Sequence, residues 1–165
     1  MLVRLADLPT GESRDFRDTA FFADGNTSLP SPDEVYQAGI EVHEGPISTA
    51  RPPPVVFRDL GLLVKYGSEI TIAEAQCLWF LNRHMEDSVP TPQLYGWRTH
   101  GSQVFIYMEL IRGDTLRERW TGLSDQHRDV ILRELRACVN SWRGLRQETE
   151  PYFIGKLKLC SCSRA

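Results

Sequence analysis

Proline placement sets the first limit on this fold. Seven of the ten prolines lie before residue 55, two of them in GNTSLPSP (Gly25–Pro32) and three in RPPP (Arg51–Pro54). Proline has no amide hydrogen and a fixed φ, so neither run can be helix interior or central strand. Regular structure is therefore expected mainly after residue 54, and residues 1–32 read as a loosely ordered leader. One short helix is expected at Pro32–Ala38, where Ser31 can cap and Glu34 stands three residues later.

After Pro54 the patterns become regular. Val55–Arg58 and Leu62–Tyr66 are apolar, partly β-branched segments separated by Asp59-Leu60-Gly61, which reads as a hairpin. Gly67-Ser68 ends the second strand. Ile70–His84 (ITIAEAQCLWFLNRH) is long enough for a helix. Leu94–Arg98 and Gln103–Leu110 read as two more strands. The second, QVFIYMEL, is apolar nearly throughout, as a strand covered on both faces would be. Gly113 breaks it, and Asp114 can cap a short helix through Trp120. Over Ser124–Leu145, Ile131, Leu135, Cys138, Trp142 and Leu145 form one stripe of a 3.6-period helix, capped by Ser124. The fold class is α+β: an antiparallel sheet with one helix, then the first helices of a second layer.

Composition narrows the setting. A hydrophobic fraction of 41% with 25% charged residues suits one globular domain. A net charge of −3 gives no electrostatic footprint for nucleic acid. No uncharged apolar run approaches the ~18 residues of a membrane helix. The first residues, MLVRLADLPTGESRDF, mix acids and bases and resemble neither a secretory signal nor a transit peptide. A cytoplasmic protein with no membrane partner is the expectation. Cys77, Cys138, Cys160 and Cys162 form no CxxC pair and read as reduced thiols. His43, His84 and His100 show no ligand spacing, so no metal site is expected. The four tryptophans read as core.

His127-Arg128-Asp129 spells the tripeptide that opens a protein-kinase catalytic loop. Here it falls in the first turns of the 124–145 helix. Asp129 lies about 200° from Ile131, on the polar face. The position that should hold a magnesium-binding Asn is Glu134. The tripeptide therefore reads as a solvated helix start, and no catalytic residue is assigned.

A second constellation carries more. Lys65 lies inside an otherwise apolar strand, and Glu74 shares a helix face with Ile70, Cys77, Leu78 and Leu81. Each needs an opposite charge in such surroundings. A strand lysine paired with a helix glutamate is how kinases position the phosphates of ATP. A structural Lys–Glu pair in an α+β domain is the plainer alternative.

Four segments in this order resemble the aminoglycoside phosphotransferase / choline-kinase-like family, most closely its fungal branch. They are RPPPVVFRDLGLLVKYG (51–67), VPTPQLYGW (89–97), QVFIYMELIRG (103–113) and YFIG (152–155). The resemblance spans about Ser31 to Gly155. It implies a protein-kinase-like fold: N-lobe and hinge at 33–113, and the start of a helical C-lobe at 114–155. It implies ATP as cofactor, with Lys65 on phosphate, Glu74 orienting it, and backbone groups of Glu109 and Ile111 meeting adenine. Complete relatives also use magnesium and transfer the γ-phosphate to a small-molecule hydroxyl.

Two departures qualify what is implied. FRDLGL has one glycine and no G-x-G-x-x-G. The family's catalytic loop and metal-binding Asp belong beyond Gly155, where this chain has an aberrant basic tail at 156–165 (KLKLCSCSRA). That tail reads as the product of a shortened or misread coding region; a lipidated end and a Cys-x-Cys metal clip are the alternatives. The expectation is a truncated kinase-like protein that binds nucleotide at most. The alternative is a non-catalytic interaction module that self-associates or binds a partner through the apolar face of the 124–145 helix.

Overall fold

A computed structural model describes residues 2–3, 7–42 and 48–147. His43, Tyr152–Gly155 and the 156–165 tail lie outside the described residues. The architecture is α+β. In chain order the elements are β1 (Leu2–Val3), β2 (Ser13–Asp15), α1 (Ala20–Ala23), α2 (Pro32–Val42), β3 (Val55–Phe57) and β4 (Leu62–Gly67). Then come α3 (Ile72–His84), β5 (Leu94–His100), β6 (Gln103–Glu109), α4 (Leu116–Arg119), α5 (Asp125–Arg143) and β7 (Arg146–Gln147). Five strands form one antiparallel sheet in the order β2-β5-β6-β4-β3. The two-residue β1 and β7 pair in parallel apart from it.

The expected hairpin forms. Arg58–Leu60 make a 3-10 turn, and Gly61 closes it at φ +57°, a conformation that strains any residue with a Cβ. β6 lies between β4 and β5, which explains its apolar sequence. Its side chains alternate between two cores. On one face Leu62, Val64, Tyr66, Phe105 and Tyr107 pack with Val35 of α2 and Phe21 of α1. On the other, Trp97 and Ile106 pack with Ile70 and with Ala75, Leu78 and Trp79 of α3. One helix on the sheet was the sequence expectation; helices cover both faces. α2 makes up the difference, running to Val42 where the sequence suggested Ala38.

The leader departs furthest from expectation. Residues 7–32 are not loosely ordered. Ser13–Asp15 adds an edge strand to β5, with Arg14 opposite Trp97. Trp97 Nε1 donates to the Gly11 carbonyl at 2.9 Å. Leu8, Phe21 and Leu29 are buried. The prolines forbid long elements there, but they leave single apolar side chains free to fill the core. Gly96 makes the approach feasible: a Cβ on it would lie 2.4 Å from the Arg14 carbonyl oxygen.

The helix caps follow the sequence with one correction. The Ser31 amide and hydroxyl both donate to Glu34, each at 2.7 Å. Thr115, not Asp114, caps α4, because Glu118 three residues on completes its capping box. Asp114 instead faces Arg119 at 3.6 Å. Ser124 caps α5 by accepting from the His127 amide.

The stripe expected on α5 is covered only in part. Cys138 packs, with Leu145 just beyond the helix, against Leu8, Phe80, Met85 and Val89. Of the stripe, Leu135 and Trp142 remain 48% and 45% exposed, and Leu132, outside it, is 50% exposed. Among the described residues no helix is long and apolar enough to cross a membrane.

Candidate functional site

β4 alternates, so Val64 and Tyr66 enter the core under α2 and Lys65 turns to the α3 face. It stands opposite Ile106 there, beside an apolar cluster that offers no counter-charge. Glu74 answers it from the first turn of α3. Lys65 Nζ donates to Glu74 Oε2 at 2.5 Å, with the two side chains 34% and 33% exposed. The pair is thus shielded by its neighbours yet open to a ligand on one side.

The other oxygen of Glu74 has a partner that sequence reasoning missed. Arg51 Nη2 lies 4.0 Å from Glu74 Oε1. It arrives because residues 49–52 cross the turn that follows β4. The Ser68 amide donates to the Thr49 carbonyl at 3.1 Å and the Glu69 amide to the Ala50 carbonyl at 2.9 Å. Gly67 sits beneath the crossing at φ +138°, where a Cβ would lie 2.4 Å from the Ala50 carbonyl oxygen. Two signals could have found Arg51. It heads a stiff proline run, and Gly67 marks a close backbone approach. Nearby, Thr71 caps α3 without a side-chain hydrogen bond, and its buried Oγ1 has no partner among the described residues.

The two expected hinge residues lie at and just beyond the end of β6. Leu62 pairs with Glu109, three positions along β4 from Lys65, a separation of about 10 Å. Alternation puts the Glu109 side chain on the α2 face, opposite Lys65. Its carboxylate accepts from the Gln93 amide at 3.1 Å, and its own amide donates to the Gln93 carbonyl at 2.9 Å. The Leu110 amide donates to the Gly61 carbonyl. Ile111 is 59% exposed, and its backbone makes no hydrogen bond among the described residues. Among the described residues the amides of Ile111, Arg112 and Gly113 all carry no hydrogen bond.

His127-Arg128-Asp129 forms the exposed start of α5, as its spacing indicated. His127 Nδ1 lies 3.0 Å from the Ser124 hydroxyl. Arg128 donates to Asp125 at 3.0 Å and stacks 5.6 Å over the Trp120 ring. Asp129 and Glu134 are exposed.

A cleft of about 1170 Å³ opens between residues 7–19, α3 and the loop before β5. Glu109 lines it; Lys65 and Glu74 do not. Its central polar groups are already committed to the fold. Asn82 donates to Thr91 and Pro92 and accepts from the Leu94 amide, while Gln93 accepts from the Ala20 amide. Size alone does not make it the better candidate. Among the described residues no group of three or more His, Cys, Asp or Glu is placed to hold a metal ion. No family model, no curated protein and no solved structure matches this chain.

Proposed function

We propose that residues 33–113 are a kinase-like N-lobe with its hinge, that α4 and α5 begin a helical C-lobe, and that the chain binds a nucleoside triphosphate. The observation that carries this reading is the Lys65–Glu74 pair, half-open and set between a sheet and the first turn of a helix. Phosphate needs a positioned cation, and Glu74 holds the lysine head in place. The strand order supports the same reading. The lysine strand β4 adjoins β6, which runs straight into Met108–Gly113. An extended nucleotide with its phosphates at Lys65 would bring its base toward Glu109 and Ile111, where the Ile111 amide is one available donor. The resemblance in sequence points the same way. It also suggests a small-molecule hydroxyl as acceptor in complete relatives, with magnesium. The Lys65–Glu74 pair supports the nucleotide reading, and the described residues offer no ligand set for the metal, so no transfer step is assigned to them.

The test is a thermal shift. Saturating ATP is expected to raise the melting temperature, since a ligand at 100 times its Kd stabilises by about 2.7 kcal/mol. Lys65→Met should abolish the rise, read against that variant's own unliganded melting point, because the change also takes from Glu74 its close partner. A wild-type chain whose melting temperature ignores millimolar ATP would sink the reading.

The exposed side of α5 favours a second reading, that of an interaction module. Leu132, Leu135 and Trp142 put a large apolar surface in water. Under this reading the chain self-associates through that face. Analytical ultracentrifugation should then show concentration-dependent oligomers. Leu135→Asp should return the chain to monomer. Monomer at every concentration would remove this reading and leave the first untouched.

A further inference from the structure

We propose that Arg51 is a positioning residue of the phosphate site, and that it makes binding depend on the number of phosphates in the ligand. The inference rests on the nucleotide reading above. A lysine and a glutamate in contact cancel each other's charge. Alone, the Lys65–Glu74 pair would offer a polyphosphate little net attraction. Arg51 changes the sum. Lys65 takes Oε2 of Glu74 and Arg51 stands at Oε1, so two cations share one carboxylate. The three groups carry a net charge of +1, and Lys65 is no longer fully compensated.

The arrangement is built into the backbone. Hydrogen bonds from Ser68 and Glu69 stitch residues 49 and 50 to the turn after β4, and Gly67 lets the two backbones touch. Proline follows Arg51 directly, which limits how far the segment can swing. The cation is therefore delivered by a segment that belongs neither to β4 nor to α3. The first turn of α3 adds a dipole of the same sign. Glu69, the other acid of the turn, forms no ion pair among the described residues, so it does not neutralise the cluster at contact distance.

Isothermal titration of the full chain with adenosine, AMP, ADP, ATP and inorganic tripolyphosphate tests this. Affinity is expected to climb with phosphate number in the wild type. Arg51→Met should flatten the climb, lowering ATP affinity about tenfold and leaving adenosine unchanged. Arg51→Lys, which keeps the charge, should recover most of the loss. The variants should melt with the wild type, because Arg51 is 58% exposed and its pair is long, so it adds little stability.

The two ideas fail differently. A wild type that binds no nucleotide ends the reading and the inference with it. A wild type that binds ATP, with Arg51→Met matching it across the series, overturns the inference alone. Equal loss of ATP and adenosine in Arg51→Met, or no recovery in Arg51→Lys, would show a merely structural arginine and also overturn it.

Discussion

Replacing Trp97 by alanine is expected to cost about 3–5 kcal/mol, because truncating a buried aromatic loses both transfer energy and packing. Trp97 is fully buried, at 0% exposure, and joins three parts of the protein. Its ring packs in the core shared with α3 and meets Phe16 at 5.5 Å. Its indole N–H donates to Gly11. A domain of this size has a total stability of about 5–15 kcal/mol, so the loss is a large share of the whole. Urea denaturation should show the midpoint falling sharply. Limited proteolysis of the variant should cut first near residues 9–16, whose anchor has gone. A cost below about 1 kcal/mol, or no new cleavage there, would contradict the placement of the leader on the sheet.

Gly67→Ala should be the most damaging change to a surface turn. Two costs act together. The backbone stands at φ +138°, which side chains rarely adopt, at about 1–3 kcal/mol. The new Cβ would also press into the Ala50 carbonyl at 2.4 Å, and backbone cannot rotate away as a side chain can. Gly61→Ala is the control. Its φ is +57° and its Cβ would meet open space, so only the strain of about 1–2 kcal/mol applies. The ordering is the check: Gly67→Ala must destabilise more than Gly61→Ala. Under the nucleotide reading it should also weaken ATP binding, because the crossing it disturbs carries Arg51. Equal stability of the two variants would mean that residues 49–52 do not lie against the turn.

The parts legible in the sequence were those whose signal is local. The hairpin announced itself through Asp59-Leu60-Gly61, and α3 and α5 through length and period. Lys65 and Glu74 were legible as a pair because each is costly in its own element without the other. The leader was not legible, for a physical reason. β2 is three polar residues, and nothing in SRD alternates; its place is set by backbone hydrogen bonds to β5 and by the bare backbone of Gly96, 81 residues after Asp15 in sequence. Phe21 and Leu29 reach the core as single side chains, which no periodicity can reveal. Arg51 was missed for a related reason. Its neighbour Glu74 is brought near by a chain crossing, and a crossing leaves only a glycine as its mark.

α5 also has a mechanical consequence. Its seat on the rest of the protein is near its C-terminal end, at Cys138 and Leu145. From Cys138 to His127 the helix extends about 16 Å, so a tilt of about 10° at the seat moves His127 by about 3 Å. The helix is a lever with its fulcrum beside Leu8 and Phe80. Small repacking of Leu8, Phe80, Met85 and Val89, hidden from solvent, would be magnified at the helix start, and a spin label at His127 would report it as a change in distance to the sheet.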